Sequence, residues 1–486
     1  MHKITVLPTD ILLTAPSGSN LLTLLRDHNL APDAPCGGNG KCGKCIVLID
    51  EEPHLACHTA IHRDMTVTIS HGQELQVLQS GISAASSVSN GNGFSIAFDI
   101  GTTTVVCYLL DNQSGREVAV SGMANPQRSF GADVISRLQS AAGCGFDQQC
   151  ALIRQAMTKL ILHVCEDAHI SSEEIRTVSV VGNPAMQQIF LDIPIDNLVS
   201  IPFAPVLTEA KRIPCQTVLP ICPHAELLIV PDISGYVGAD TLGCVLSTFL
   251  YQSEKPVLMV DIGTNGEMVL GSKERMIACS TAAGPALEGA NIHFGMGAAA
   301  GAIDHVWLEG GEIRYSVIGG GEATGICGSG LIDAVATALE LGLLNRRGRI
   351  LCESRILPIT GQIYLTQDDI RQVQLAKGAV CAGIRLMMQH LQLQPKDISK
   401  VQLAGAFGSF LNPSSACRIG LLPAEFEDRI EAVGNTAGSG AKMLCLRPDL
   451  LPLTQELVNR IEFLELASLS AFPKTFAKAM EFPTLV

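Results

Sequence analysis

The sequence is poor in aromatic residues, which make up 4% of the chain with a single Trp. Its cores must therefore be built from aliphatic side chains, and apolar residues, at 47%, supply them. No uninterrupted apolar run reaches the roughly 18 residues expected of a membrane-spanning helix. There is no block of Lys or Arg, and 33 basic against 47 acidic residues give a formal charge of −14. That balance argues against nucleic acid or a membrane as a partner. The opening MHKITVLPTD has neither the cationic start nor the apolar stretch of a signal peptide, so a cytoplasmic location is expected. No GxxxxGKS or GxxxxGKT occurs, which removes the P-loop route to a nucleotide. What the chain has in quantity is Gly, at 46, and Cys, at 17. In a reducing compartment those thiols read as metal ligands and buried side chains rather than disulfides.

Residues 35–45 read PCGGNGKCGKC and Cys57 follows, giving C-x5-C-x2-C-x11-C over Cys36, Cys42, Cys45 and Cys57. Structural zinc usually takes two close C-x2-C pairs, and here only Cys42 and Cys45 form one. Three ligands on one loop with a fourth further on are similar to the C-x4-C-x2-C…C spacing of plant-type 2Fe–2S ferredoxins, widened by one residue. Gly37, Gly38, Gly40 and Gly43 suit such a loop, because backbone wrapping a sulfide must adopt positive φ and turn N–H groups inward. A 2Fe–2S cluster is the expectation and zinc the alternative. The pairs Cys144/Cys150 and Cys215/Cys222 lack comparable glycine loops and read as buried thiols.

Around that loop, alternation marks strands near 3–7, 10–14, 45–50 and 64–69, and SNLLTLLRDHNL (19–30) a helix with a Ser/Asn start. Residues 1–78 are expected to form a small α+β unit, and 79–93, with little to bury, a flexible linker. From Phe94 the character changes. FSIAFDIGTTTVVCYLLD is a buried strand, a turn and a second strand, and VLMVDIGTNGEMVL (257–270) repeats the phrase. A second echo sets Ile175, Val178, Val180 and Gly182 against Ile398, Val401, Leu403 and Gly405 at identical offsets. Helical stretches, 148–169 and 368–391, precede each copy. Residues 94–486 therefore read as an α/β domain of two related halves, about 94–250 and 255–460, with a C-terminal segment 461–486.

A strand ending in Asp-x-Gly-Thr presents a carboxylate beside backbone N–H groups, with Gly allowing close approach of an anion and hydroxyls adding donors. One such turn is common; two in related halves can face each other across a cleft. They would grip a polyphosphate while Asp99 and Asp261 hold Mg²⁺ and orient water. LAGAFGSF (403–410) supplies a glycine turn against which adenosine can lie, and Glu288, set among glycines, is a candidate nucleotide contact. The combination resembles the actin/hexokinase/Hsp70-like ATPases, with phosphate loops at 99–104 and 261–267.

A ferredoxin loop fused to such an ATPase frame resembles the reductive activators of corrinoid proteins over nearly the whole chain. The likeness rests on CGGNGKCGKC, FDIGTTT, NPQRSFGADVISRL, ISGYVGAD, VDIGTNGE, GPALEGANI, CGSGLIDAV, AKGAVCAGI, LAGAFGSFLNP, VGNTAGSGAKMLCL and AMEFP. It implies a ferredoxin-like (β-grasp) N-terminal domain joined to an actin-like ATPase. Cys36, Cys42, Cys45 and Cys57 would bind the 2Fe–2S cluster. Asp99, Gly101, Thr102, Thr103 and Thr104 would serve the first phosphate loop, Asp261, Gly263 and Thr264 the second, and Gly405 and Gly408 would border adenosine. The cofactors implied are the cluster, ATP and Mg²⁺. The partners implied are a corrinoid protein and an upstream low-potential electron donor, with a homodimer as the family's assembly. Longer relatives carry additional linker and middle segments, and the short span at 79–93 implies that this chain lacks them. VGNPAMQQ (181–188) has Pro184 and Gln188 where relatives often have Thr and His, so no role is carried over to that loop.

The chemistry implied is one-electron reduction of inactive Co(II) to Co(I), the methyl-accepting state. An uphill gap of roughly 200 mV corresponds to about 4.6 kcal/mol for one electron. A population shift of that size needs affinities differing roughly 10³–10⁴-fold between two states, which closure around ATP can supply. Electron donation to a hydroxyacyl-CoA dehydratase and a nucleotide-binding redox sensor are the alternatives.

Overall fold

The computed structural model describes residues 1–28, 30–32, 34, 37–38, 40, 45–69 and 91–484. Cys36, Cys42, Gly43 and all of the expected linker except residues 91–93 lie outside them. The N-terminal elements are β1 (His2–Leu7), β2 (Ile11–Ala15), α1 (Leu21–Asp27), β3 (Ile46–Ile49), β4 (Glu52–Leu55) and β5 (Met65–Thr68). They form one sheet of order β2-β1-β5-β3-β4, with β1 and β5 parallel and the other pairs antiparallel. Alternating residues point inward, so Ile4, Val6, Val47, Ile49 and Val67 bury against Leu21, Leu22 and Leu25 of α1. Asn20 caps α1 by accepting from Thr23 N at 3.1 Å, and its amide donates to Cys57 O at 2.9 Å. One residue thus fixes the helix start and the turn that carries Cys57.

The next segment runs β6 (Phe94–Ile100), β7 (Thr104–Asp111), β8 (Glu117–Ala124), α2 (Val134–Ser140), α3 (Phe146–Asp167), β9 (Ile175–Gly182), α4 (Pro184–Leu191), α5 (Asp196–Val199), β10 (Lys211–Pro214), β11 (Glu226–Ile229) and α6 (Ala239–Ser247). Its sheet has the order β10-β11-β9-β6-β7-β8. β6, β7 and β8 form an antiparallel meander, and β9 lies parallel to β6.

The third segment begins with the meander β12 (Val257–Ile262), β13 (Gly266–Gly271) and β14 (Met276–Thr281). An insertion follows: β15 (Ala302–Glu309), β16 (Glu312–Val317), β17 (Gly325–Ile326), α7 (Gly328–Glu340), β18 (Leu357–Pro358) and β19 (Tyr364–Leu365). Then come α8 (Gln367–His390), β20 (Lys400–Ala404), α9 (Gly405–Phe410), α10 (Pro413–Arg418), β21 (Ile430–Gly434), α11 (Thr436–Leu446), α12 (Leu451–Arg460), β22 (Ile461–Phe463) and α13 (Phe472–Met480). The main sheet has the order β21-β20-β12-β13-β14-β22, and β20 is parallel to β12.

The two segments share a topology, and the internal echoes fall on equivalent strands. Val178 and Val180 pair with Ile96 and Phe98, while Val401 and Leu403 pair with Leu258 and Val260. Asp99 and Asp261 therefore sit at the same register, one residue beyond the second pair. Helices α6 and α11 fill the space between the two sheets, and residues of both sheets join them in one core. Their backbones touch: a Cβ on Gly440 would lie 2.3 Å from Gly243 O, so only glycine permits this approach. No helix among the described residues is long and apolar enough to cross a membrane.

The cysteine pairs are placed differently from the sequence expectation at one position. Cys150, Cys215 and Cys222 are buried, but Cys144 is exposed. It lies on a π-helical turn, Ala141–Gly145, between α2 and α3, where the chain widens and turns the side chain to solvent.

Candidate functional site

The two Asp-Ile-Gly-Thr turns face each other across one cavity of about 600 Å³. Asp99, Gly101, Thr102, Thr103 and Thr104 line one wall, and Asp261, Gly263 and Thr264 the other. Both strands that deliver the carboxylates are central in their sheets and buried on both faces, so each turn emerges from a rigid base. Glu288 lies between them and joins the two. Thr103 Oγ1 donates to Glu288 Oε1 at 3.2 Å and Thr264 Oγ1 to Glu288 Oε2 at 2.6 Å.

Gly405 opens α9 at the cavity edge with φ +81°, and a Cβ there would lie 2.4 Å from Asp261 Oδ1. Glycine is thus required for β20 and α9 to pass the carboxylate. Gly408 is not brought to the cavity. It packs α9 onto β20, where its Cβ would lie 3.2 Å from Leu403. Phe407 and Phe410 line the cavity from the same helix.

The site holds residues to which sequence reasoning gave no role. Asp240, at the start of α6, and Glu267, on β13, also line the cavity. Both lie within strings singled out above, ISGYVGAD and VDIGTNGE. Asn435 caps α11 by accepting from Gly438 N at 2.7 Å, and its amide donates to Asp99 Oδ2 at 2.8 Å and Tyr108 OH at 3.1 Å. The capping signal of GNTAG was readable; its reach to Asp99 was not. Asn183 of the unassigned loop donates to Thr102 Oγ1 at 3.3 Å. Arg128 is the one basic side chain among the described lining residues, against Asp99, Asp240, Asp261, Glu267, Glu288 and Asp304.

Burial raises the pKa of the cavity carboxylates, and neighbouring carboxylates add to it at Asp99, Asp261 and Glu267. Burial pushes Asp99 up to about 6, with the Asp240 charge adding and the Asn435 amide opposing. Burial pushes Asp240 to about 6. Burial, then the charges of Asp240 and Asp99, push Asp261 to about 7. Burial also raises Glu267 and Glu288, the latter held back by the Thr264 and Thr103 hydroxyls and by Arg128. A polyphosphate cannot enter so acidic a site without a cation between the charges. Among the described residues no three His, Cys, Asp or Glu side chains converge to cage a metal by themselves. Mg²⁺ suits that arrangement, since it commonly takes one or two carboxylates and completes its shell with phosphates and water.

In the N-terminal unit, Cys45 is buried and Cys57 half-buried. Gly37, Gly38 and Gly40 have φ of +67°, +92° and +73°, as the glycine loop predicted. A Cβ on Gly40 would fall 2.0 Å from His58 Nε2.

Comparison with known proteins agrees with this architecture. The family model described as the C-terminal domain of RACo, the ASKHA domain, matches residues 255–485, and that of the RACo middle region matches residues 94–253. The middle region is thus the first half of the frame, and not a segment this chain omits. The corrinoid activation enzyme RamQ of Eubacterium limosum is 34% identical over 413 residues, covering 79% of this chain and 69% of that one. The [Co(II) methylated amine-specific corrinoid protein] reductase of Methanosarcina barkeri is 29% identical over 404 residues, 76% and 73% of the two chains. A solved reductive activator for corrinoid, iron-sulfur protein aligns over 99% of this chain and 98% of its own, with TM-score 0.73 and 27% identity. With its duplicated ATPase frame and these relationships, the chain belongs to the family of corrinoid activation enzymes.

Proposed function

We propose that this protein carries out ATP-dependent reductive activation of a corrinoid protein, returning its cobalt from inactive Co(II) to Co(I). The observation that carries this reading is the cleft: two equivalent acidic turns face each other and are joined through Glu288, in a chain of this family. The relatives named above support the substrate class, a corrinoid protein.

In this reading residues 1–78 are a β-grasp ferredoxin unit, 79–93 a linker and 94–486 the ATPase. Cys36, Cys42, Cys45 and Cys57 hold a 2Fe–2S cluster, which supplies a one-electron carrier when bound. The positive-φ glycines and the burial of Cys45 fit a loop closing on inorganic sulfide. Asp99 and Asp261 hold Mg²⁺ jointly with the phosphates, while the Thr hydroxyls and loop N–H groups orient them. Gly405, Phe407 and Phe410 form the purine side. Glu288 exchanges its Thr partners for the nucleotide as the halves close. An external low-potential donor supplies the electron.

The test follows the Co(II)-to-Co(I) absorbance change of a corrinoid protein with reductant, with and without ATP. Asp99→Ala should lower ATP-dependent Co(I) formation by a factor on the order of 10²–10³ while the cluster absorption stays unchanged. Full, ATP-independent activation by that variant would sink the reading. Zinc in place of iron and labile sulfide after anaerobic reconstitution would overturn the cluster assignment.

A further inference from the structure

Residues 125–131 touch both the nucleotide cleft and the unit that carries the cysteines. Asn125 starts the segment and binds the first phosphate loop twice: its amide donates to Gly101 O at 2.8 Å and its backbone N–H to Thr103 O at 2.8 Å. The same side chain accepts from Gln127 N at 3.0 Å, which begins a 3₁₀ turn, Pro126–Phe130. Arg128 lines the cavity from that turn. The next residue faces the other way. Ser129 O accepts from Arg26 Nε at 2.9 Å and also from Arg26 Nη2. The Arg26 guanidinium lies over the Phe130 ring, 5.1 Å from its centre. A Cβ on Gly37, the residue after Cys36, would lie 3.3 Å from Phe130 O. Arg137 closes the arrangement, donating to Gly131 O at 2.9 Å and to Thr102 O. Three consecutive residues therefore contact the cavity, α1 and the cysteine loop.

We infer that this turn is the bridge by which nucleotide occupancy reaches the cluster loop. Arg128 takes a phosphate oxygen, and Ser129 and Phe130 transmit its position to Arg26 and Gly37. The inference rests on the reading of the cleft as an ATP site. Charge supports the first step: Arg128 is the cation in a wall of carboxylates, and a phosphate competes with Glu288 for it. Geometry supports the second, because Arg128, Ser129 and Phe130 follow one another in one 3₁₀ turn, so a backbone shift at Arg128 carries the Ser129 and Phe130 carbonyls with it. The bond to a main-chain oxygen makes the contact independent of the Ser129 side chain.

The test uses the full cluster-loaded chain, with Mg²⁺ and a non-hydrolysable ATP analogue. Amide hydrogen exchange over residues 21–40 and the dissociation constant of the analogue are measured together. The wild type should slow at least about fivefold over that stretch on saturation. Arg26→Ala should keep the dissociation constant within about twofold and lose the slowing. Arg26→Lys, which keeps the charge and stem but not the paired bond, should lose most of it, with cluster circular dichroism reporting that the unit remains folded. Arg128→Gln should weaken the analogue roughly tenfold and show no slowing even when saturated. An unchanged exchange rate in the saturated wild type, or a full response in Arg26→Ala, would overturn the bridge while leaving the ATP site standing. Failure of the wild type to bind the analogue is visible in the dissociation constant; it would bring down the reading of the cleft and the bridge with it.

Discussion

The carbonyl oxygens of Gly101, Thr102 and Thr103 in the first Asp-Ile-Gly-Thr turn are all bound from outside the turn, by Asn125, Arg137 and again Asn125. The second loop closes on itself, with Gly263 N donating to Asn265 O at 2.9 Å. The two turns share strand register and nearly share sequence, yet the carbonyls of one are braced by the segment next to the N-terminal unit, while the other has a backbone bond within the turn. The duplicated phrase encodes the turn; the bracing was added on one side.

The largest effect that sharpens this contrast is on stability. Arg137→Ala should cost about 3 kcal/mol, because a buried and a part-buried carbonyl group lose their donor. Asn265→Ala should stay within about 0.5 kcal/mol, since that residue closes its loop with a backbone carbonyl. Urea midpoints of the two variants decide it, and equal losses would erase the distinction between the loops. A smaller effect tests their joining. Thr103→Val and Thr264→Val share Glu288 as acceptor, so a double-mutant cycle should show about 1 kcal/mol of coupling in stability. Additive losses would mean that the halves are not joined there.

A third expected effect is a pH dependence of the nucleotide-free, Mg²⁺-free protein. Asp99, Asp240 and Asp261 have pKa values raised to about 6, 6 and 7 in the fold. The folded form keeps protons that the unfolded chain has shed. The stabilising contribution is complete below the ordinary aspartate range, about pH 4, and is lost as pH rises through 6 to 7. The thermal midpoint should therefore fall by a few degrees between about pH 5 and 8, and Mg²⁺ with nucleotide should flatten the slope. A midpoint that rises over that range without Mg²⁺ would contradict the carboxylate cluster.

What the sequence made legible was local and repeated. The helices expected at 148–169 and 368–391 occur at Phe146–Asp167 and Gln367–His390 because strong apolar periodicity marked them. Two DIGT phrases placed Asp99 and Asp261 on facing turns because the same strand–turn–strand physics acts twice. Asn435 was readable only as a helix cap, because its partner Asp99 is 336 positions away and no local pattern records such a contact. Asp240 and Glu267 escaped for a related reason: a carboxylate at a helix start or on a strand looks ordinary until another half is folded against it. Gly408 shows the converse. A glycine one turn beyond a nucleotide-edge glycine reads as part of the same site, but close packing on Leu403 accounts for it.

The exposed thiol at Cys144 has a practical consequence. Among the described residues the other free cysteines are buried or half-buried, so a maleimide dye should attach at Cys144 first. The neighbouring Gly145 sits against the Phe130 ring, where a Cβ would lie 3.1 Å away. Among the described residues Cys144 thus offers a native handle for fluorescence beside the Pro126–Phe130 turn.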